Sequence, residues 1–395
     1  MNILIADKLS ATAVKELEEM GAAVTFKPDL KAEDLPASVG DAEVLVVRST
    51  RVTRDTVEAA DSLSLIIRAG AGVNTIDLDA ASERGVYVTN CPGKNTAAVA
   101  ELAIGLMIAA DRRIPDATKD LREGKWLKKE YGKARGLKGR TLGILGLGAI
   151  GRSVAERARG LDMQVLAWSR SLTPAIAEVA GIDYAKDPTE IAARSDVVSV
   201  HVAMTPETKH MVDRAFFEGM KPGAVFVNTS RGDIVDSDAL KWAVENRGIR
   251  AAVDVFEREP AGGEDVFDQT DLAKEIIATP HIGASTDQAA EAIAAEVVEI
   301  VRSFAETGHP KNCVNLQQKS LAQHNLVVRH FNRVGVLAGV LDELRAAGVN
   351  IEEMENVIFD GGRAATCSLK LDSKPDDDTV ERIRASDSVI RARLT

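Results

Sequence analysis

Short apolar runs alternate with helix-like stretches from the first residues of the chain. ILIAD is followed by a helical pattern near 13–20, then by VLVVRS, LSLIIRAGAG and VYVTN. Strand followed by helix, repeated, predicts a parallel sheet covered on both faces, because a parallel crossover needs a helix-sized connection. An Ala-rich amphipathic pattern, TAAVAELAIGLMIAADR, occupies 96–112, and a second runs over 287–306. Between them lies another strand series: TLGILGLG, QVLAW, VVSVHV, AVFVNTS, AAVDVF and EIIATPH. The two long helices bracket that series and imply a discontinuous architecture. Residues 1–94 and 283–314 form one lobe and 95–282 the other, so the chain crosses twice and leaves a cleft that can close on a ligand.

Polar NLQQKSLAQ follows, and 315–321 reads as a linker. From 322 to 395 the pattern is strand, helix (GVLAGVLDELRAAG), strand, strand (ATCSLKL), helix (DDTVERIRAS) and strand (VIRARL). That is a βαββαβ module of about 70 residues with its own apolar pattern. The fold class expected is therefore α/β, two Rossmann-like lobes, the first flavodoxin-like, plus a small C-terminal module.

Bulk properties narrow the partners. A chain of 395 residues exceeds one hydrophobic core. It is 45% apolar and 28% charged, within the soluble globular range. No apolar run reaches the roughly 18 to 20 residues of a membrane span, so no membrane partner is expected. The start, MNILIADKLS, lacks the basic and apolar regions of a signal peptide, and Cys91, Cys313 and Cys367 have neither CxxC nor Cys/His spacing. A cytoplasmic location without disulfides or a metal site is expected. The net charge of −11 argues against nucleic acid but leaves room for a local basic pocket for an anionic substrate.

GLGAIG follows the apolar strand TLGIL and opens a helix through RSVAERAR. Gly146 suits the tight turn, Gly148 the approach of backbone amides to a pyrophosphate, and Gly151 close packing of helix on strand, with Ala149 and Ile150 between them. This is a dinucleotide site, and 95–282 becomes the NAD(P)-binding lobe. The next strand normally ends in an acidic residue for the adenine ribose. Here it ends QVLAWSRS, placing Ser169 and Arg170 there. Without the carboxylate a 2′-phosphate is not repelled, and arginine offers it a planar fork, so the cofactor is NAD or NADP. A solvated Arg170 is the alternative.

Three segments near strand ends carry candidate chemistry: NTSRGDIVD, DVFEREP and TPHIGAST. Arg231 offers a fork for a carboxylate, His281 a proton acceptor of near-neutral pKa, and Glu259 a carboxylate to stabilise the imidazolium. Together with RAGAGV, NTAAVAEL and GLGAIGR, these motifs make residues 1–314 resemble the D-isomer-specific 2-hydroxyacid dehydrogenases. The resemblance implies that Arg231 binds the substrate carboxylate and polarises the carbonyl, that Glu259 partners the base, and that His281 is general acid and base. It also implies that Asp254 orients the nicotinamide carboxamide, that Thr229 and Ser230 line the cofactor cleft, and that Ala71, Gly283 and Ala284 border it. Two departures stand out: Val73, Asn74 and Thr75 occupy the family's VDN position, and Val202 and Ala203 replace Thr-Pro. His201 reads as a structural strand-end residue.

Within the family the phosphoglycerate-specific branch is the nearest match. A dianionic phosphate needs several cations, and Arg48, Arg51 and Arg68 sit at strand ends expected to face the cleft. The amides of Gly70, Ala71, Gly72 and Val73 form a nest for the carboxylate. GKWLKKEYG resembles the family's KWxRK stretch and puts Lys128 where a residue reaches a neighbouring subunit's substrate, implying a homodimer or homotetramer. The C-terminal module resembles an ACT domain: HFNRVGVL stands for HxNxPGVL with Val334 for proline, and His330, Asn332 and Asn350 are the implied regulatory residues for an effector such as L-serine. Two alternatives remain open: an NADPH-dependent glyoxylate or hydroxypyruvate reductase, and a dinucleotide-sensing corepressor without turnover.

Overall fold

The computed structural model describes residues 1–260, 266–317, 320 and 322–395, so the expected linker at 315–321 falls partly outside the described residues. The chain divides into two compact units, Met1–Asn315 and Leu316–Thr395.

The first unit holds two parallel sheets. One comprises β1 (Asn2–Ile5), β2 (Ala23–Phe26), β3 (Val44–Val47), β4 (Leu65–Arg68) and β5 (Tyr87–Asn90), in the spatial order β2-β1-β3-β4-β5. The other contains β6 (Thr141–Leu145), β7 (Gln164–Trp168), β8 (Asp183–Tyr184), β9 (Val197–Val200), β10 (Val225–Asn228), β11 (Arg250–Val253) and β12 (Ile277–Ala278). Its order is β12-β11-β10-β9-β6-β7-β8, the doubly wound pattern in which direction reverses between β6 and β9. At that switch point the loops leave opposite faces and open a crevice at the carboxyl ends of the strands.

Six helices support the site and the C-terminal core: α1 (Thr96–Arg112), α2 (Ala149–Gly160), α3 (Ser237–Arg247), α4 (Asp287–Thr307), α5 (Val336–Ala346) and α6 (Asp377–Arg384). The small side chains of α1 let it lie close on the second sheet, burying Ala100, Ala103, Met107 and Ala110. α4 starts at Thr286, whose hydroxyl accepts from the Ala289 amide at 3.2 Å, and ends at left-handed Gly308. Its Ile293, Val297, Ile300 and Val301 are buried with Ile3, Ile5 and Val44 of the first sheet. Truncating any of these isoleucines to alanine costs about 2 to 5 kcal/mol, and this packing anchors the returning chain on the N-terminal sheet. Lys94, just before α1, pairs with Glu296 of α4 at 2.8 Å, so the two crossings of the chain are tied together.

The second unit is a four-stranded antiparallel sheet, β13 (His324–Phe331), β14 (Ile351–Ile358), β15 (Ala364–Leu371) and β16 (Val389–Leu394), ordered β14-β15-β13-β16. Leu326 and Val328 of β13 meet Val340 and Leu344 of α5 and Ile383 of α6 in one core. The order of its elements is the βαββαβ read from the pattern. Among the described residues no helix is long and apolar enough to cross a membrane.

Candidate active site

At the switch point β6 runs into Gly146, which takes φ 98°. Its N–H donates to the carbonyl of Trp168 at the end of β7, 2.8 Å away. A methyl group on Gly146 would stand 2.7 Å from the His201 carbonyl and the Val202 nitrogen, and one on Gly151 would collide with the Gly146 carbonyl. Both positions are closed to any side chain. Around Gly148, the N-cap of α2, there is open space, and Ala149 and Ile150 form the first helical turn. A twelve-residue helix that starts beside open space at a glycine turn can take an anion on its first amides.

Ser169 is half-buried and Arg170 exposed directly beyond Trp168, hence next to the glycine turn. Glu207 lies within electrostatic reach of Arg170: its carboxyl is held below the usual range first by the Thr205 hydroxyl and its own amide, and further by the Arg170 charge. At the end of β10 the Thr229 hydroxyl is buried and has no hydrogen-bond partner among the described residues, which suits it to a bound ligand. Ser230 donates its hydroxyl to the Val202 carbonyl and so joins the loops after β9 and β10. Glycine turn, helix terminus and orphaned hydroxyl together fit a dinucleotide.

His281 and Glu259 meet at 2.7 Å between Nδ1 and Oε2. The other carboxylate oxygen, Oε1, accepts from the Phe256 amide at 3.0 Å. Burial pushes the Glu259 carboxyl up, but the bond and charge of His281, the Phe256 amide and Arg231 outweigh it and hold it below the usual range. An ionised carboxylate only accepts, so Nδ1 is the donor and Nε2 of His281 is left as the acceptor. The His281 side chain is 47% exposed, in reach of a substrate.

His281 has φ 51°, a left-handed backbone that its surroundings must enforce. Buried Asp254 does so. Its carbonyl accepts from the His281 amide at 2.8 Å; its Oδ1 accepts from the Thr279 hydroxyl at 2.5 Å and the Ile282 amide at 2.8 Å, and Oδ2 from the Gly283 amide at 2.8 Å. Asp254, expected to orient a carboxamide, is here chiefly the organiser of the His281 loop, with a lone pair left on Oδ2. Ala284 is half-buried beyond that loop.

The arginine cluster draws on both sheets. Arg68 ends β4 and folds back over Gly70, while Arg231, following β10, lies over Gly72: a methyl on either glycine would collide with the guanidinium above it. Burial, then the charges of Arg231 and Arg48, push the Arg68 pKa down to about 10, and its Nε has no partner among the described residues. Arg231 is likewise lowered by burial, against the opposing pull of Glu259. Asp7 Oδ2 accepts the amides of Arg48, Ser49 and Thr50, and its charge offsets part of the repulsion felt by Arg68. The Ala71 carbonyl is taken by Asn90 Nδ2 at 2.6 Å, which fixes the nest. Three guanidiniums lie near one another, with Asp7 and Glu259 within electrostatic reach, an arrangement that can take an anion. Arg51 and Lys128 are exposed, Lys128 opening the short helix Lys128–Tyr131, and nothing among the described residues ties either to this cluster.

In the second unit, His330 is buried, with Nε2 3.2 Å from the Asn356 side chain. Asn332 donates to the Gly362 carbonyl at 2.9 Å, and Asn350 to Glu352 at 3.1 Å. All three are thus engaged inside the module. Sequence reasoning passed over His210 and Glu257, which bond at 2.8 Å beside the catalytic loops. The available signal was a histidine next to a turn, too weak to single out.

Fold and site define an α/β protein of the dinucleotide-binding type with a histidine–carboxylate pair in electrostatic reach of Arg231. The family model "D-isomer specific 2-hydroxyacid dehydrogenase, NAD binding domain" matches residues 104–283. D-3-phosphoglycerate dehydrogenase of Methanocaldococcus jannaschii is 40% identical over 80% of this chain and 60% of its own length. Glyoxylate reductase of Thermococcus litoralis is 37% identical over 79% of this chain and 96% of its own. The NAD+-bound 3-phosphoglycerate dehydrogenase of Entamoeba histolytica superimposes with TM-score 0.66 at 28% identity, over 80% of this chain and 99% of that one. The chain belongs to the D-isomer specific 2-hydroxyacid dehydrogenases. It spans about 60% of the length of the Methanocaldococcus relative.

Proposed function

We propose that the chain is a D-3-phosphoglycerate dehydrogenase, oxidising the 2-hydroxyl of 3-phosphoglycerate with NAD or NADP in the first step of L-serine synthesis. The observation that carries this reading is the buried Arg68 in electrostatic reach of Arg231 and Arg48, two cations more than a simple carboxylate needs, together with the His281–Glu259 pair.

In this reading Gly146, Gly148, Ala149, Ile150 and Gly151 hold the pyrophosphate, Ser169 and Arg170 the adenosine end, and Ala71, Thr229, Ser230, Asp254, Gly283 and Ala284 the nicotinamide end. The nicotinamide supplies the hydride acceptor or donor. Arg231 and the amides at 70–73 grip the substrate carboxylate, and Arg48, Arg51 and Arg68 grip the phosphate. Nε2 of His281 takes the hydroxyl proton as the carbonyl forms, and Glu259 stabilises the resulting imidazolium. The substrate lobe is 1–94 with 283–314 and the cofactor lobe 95–282, so closure of the cleft brings Arg68 and Arg231 onto one ligand.

Pairing of two chains is supported by helix Ile114–Arg122, which buries no residue, and by exposed Ile114, Leu121, Trp126 and Leu127. Lys128 follows that surface directly and would serve the neighbouring site. The module at 322–395 would act as the ACT-type sensor, its His330, Asn332 and Asn350 changing partners when an effector such as L-serine binds. The glyoxylate reductase reading is favoured by the Thermococcus relative and by Arg170 at the ribose position.

Initial rates of the full chain with 3-phosphoglycerate, hydroxypyruvate and glyoxylate, each with both cofactor pairs, decide between the two. The highest kcat/KM is expected with the phosphorylated substrate. Higher kcat/KM with glyoxylate and NADPH would overturn the phosphoglycerate assignment. Added L-serine should lower kcat, and an unchanged rate would remove the effector role.

A further inference from the structure

We infer that His210 and Glu257 form a clasp that positions the two catalytic loops, with His210 gripping the Arg231 loop through its backbone and the Glu259 loop through its side chain. The proposal rests on the reading of Glu259–His281 as the proton-transferring pair.

The loop after Arg231 begins with a single 3-10 turn, Gly232–Ile234. Its Asp233 carbonyl accepts the His210 amide at 2.9 Å. Val212 and Val235 extend the contact as a parallel bridge, with the Val212 amide on the Ile234 carbonyl at 3.0 Å and the Asp236 amide on the Val212 carbonyl at 3.1 Å. In that contact His210 has φ 50°, a left-handed conformation that among non-glycine residues is found mostly in asparagine, aspartate and histidine. The same conformation accompanies a side chain that reaches the other loop. Nε2 lies 2.8 Å from Glu257 Oε1, two residues before Glu259. The second oxygen of Glu257 accepts the Ser237 amide at the start of α3, at 3.4 Å.

The loop these bonds hold has little freedom to compensate for their loss. The Arg258 amide donates to buried Gln269 at 3.1 Å, and Phe256 stacks edge-on against Phe267 with ring centres 4.7 Å apart. A methyl on Gly232 would collide with the Phe256 carbonyl, so the two loops are in direct backbone contact. The Phe256 amide then donates to Glu259. A chain of contacts therefore runs from His210 through Glu257 and Phe256 to the carboxylate that meets His281. Burial pushes the Glu257 carboxyl up, but the bonds to His210 and Ser237 prevail and hold it below its usual range. Glu257 is thus ionised at neutral pH and Nε2 of His210 is the donor.

Among the described residues neither His210 nor Glu257 bonds to His281 or Glu259, so the role of the clasp is positioning. Misplacement of a catalytic group by about 1 Å costs on the order of 100-fold in rate. Glu257→Ala, which removes the acceptor, should lower kcat by about 10- to 100-fold, leaving KM and the cofactor Kd within about threefold. His210→Asn keeps a residue that tolerates the left-handed backbone but is too short for the carboxylate, and should reproduce the loss. Glu257→Gln keeps an acceptor for the imidazole N–H and should retain a kcat within about threefold of the parent. Independently of turnover, the proton resonance of the His281 Nδ1–H to Glu259 bond should weaken in Glu257→Ala and His210→Asn and persist in Glu257→Gln. Parental kcat with an unchanged resonance in Glu257→Ala would overturn the clasp. If His281→Ala proves fully active, the proton-transfer reading fails, while the resonance still decides whether the clasp positions Glu259.

Discussion

The tautomer of His281 follows from one bond: Nδ1 donates to Glu259, so Nε2 is free to accept a substrate proton. The neighbouring Gly72 matters for a different reason, since Arg231 lies where a side chain would be. Gly72→Ala should displace the guanidinium and lower kcat/KM for the hydroxy acid by about 10- to 100-fold, with the cofactor Kd little changed. Parental steady-state kinetics in that variant would show that Arg231 does not need this place. His201 offers a pH test. Burial pushes its pKa down to about 4 from an ordinary 6.5, so between those values the unfolded chain binds more protons than the folded one. Stability must then fall as pH drops from about 6.5 to about 4. His201→Gln should flatten that dependence, measured as urea midpoints of the apoprotein across the interval; an unaltered slope would show that His201 is not held neutral by the fold. The sequence motifs singled out Arg231, Glu259 and His281, and the structure places the last two in one hydrogen bond with Arg231 in electrostatic reach of Glu259. The partners were not legible: that Arg68 is buried over Gly70, or that Asp254 binds the 279–283 loop, depends on backbone meeting backbone from distant parts of the sequence.

At the scale of elements, the apolar runs announced the strands that are buried on both faces. Val44–Val47 and Val225–Asn228 have every residue buried, and both were legible as strands. Ala23–Phe26 was missed because it is an edge strand with exposed Ala23, Thr25 and Phe26, and therefore lacks an apolar run. Asp183–Tyr184 was missed likewise, as a two-residue edge of the second sheet. The glycine turn was legible because its geometry excludes all other residues at Gly146 and Gly151. The His210–Glu257 clasp was not, because what makes it matter is the left-handed backbone of His210 and its contact with Asp233, neither of which has a sequence signature.

At the scale of the molecule, an acidic chain with net charge −11 brings three arginines within electrostatic reach of one another in its larger unit, a local reversal of sign that would favour an anionic ligand. Two sheets contribute to that cluster, and the segments that cross between them are locked by the Lys94–Glu296 pair. The C-terminal unit has a core of its own. The central claim is that this site transfers a hydride with His281 as the acid and base. The most direct test is the single-turnover rate of 3-phosphoglycerate oxidation by the full chain and by His281→Ala, with the cofactor Kd measured on both. The account predicts a rate at least ~100-fold lower in the variant at an unchanged cofactor Kd, as for loss of a general base. A variant within about tenfold of the parent would contradict it, because His281 would then not be needed to take the proton.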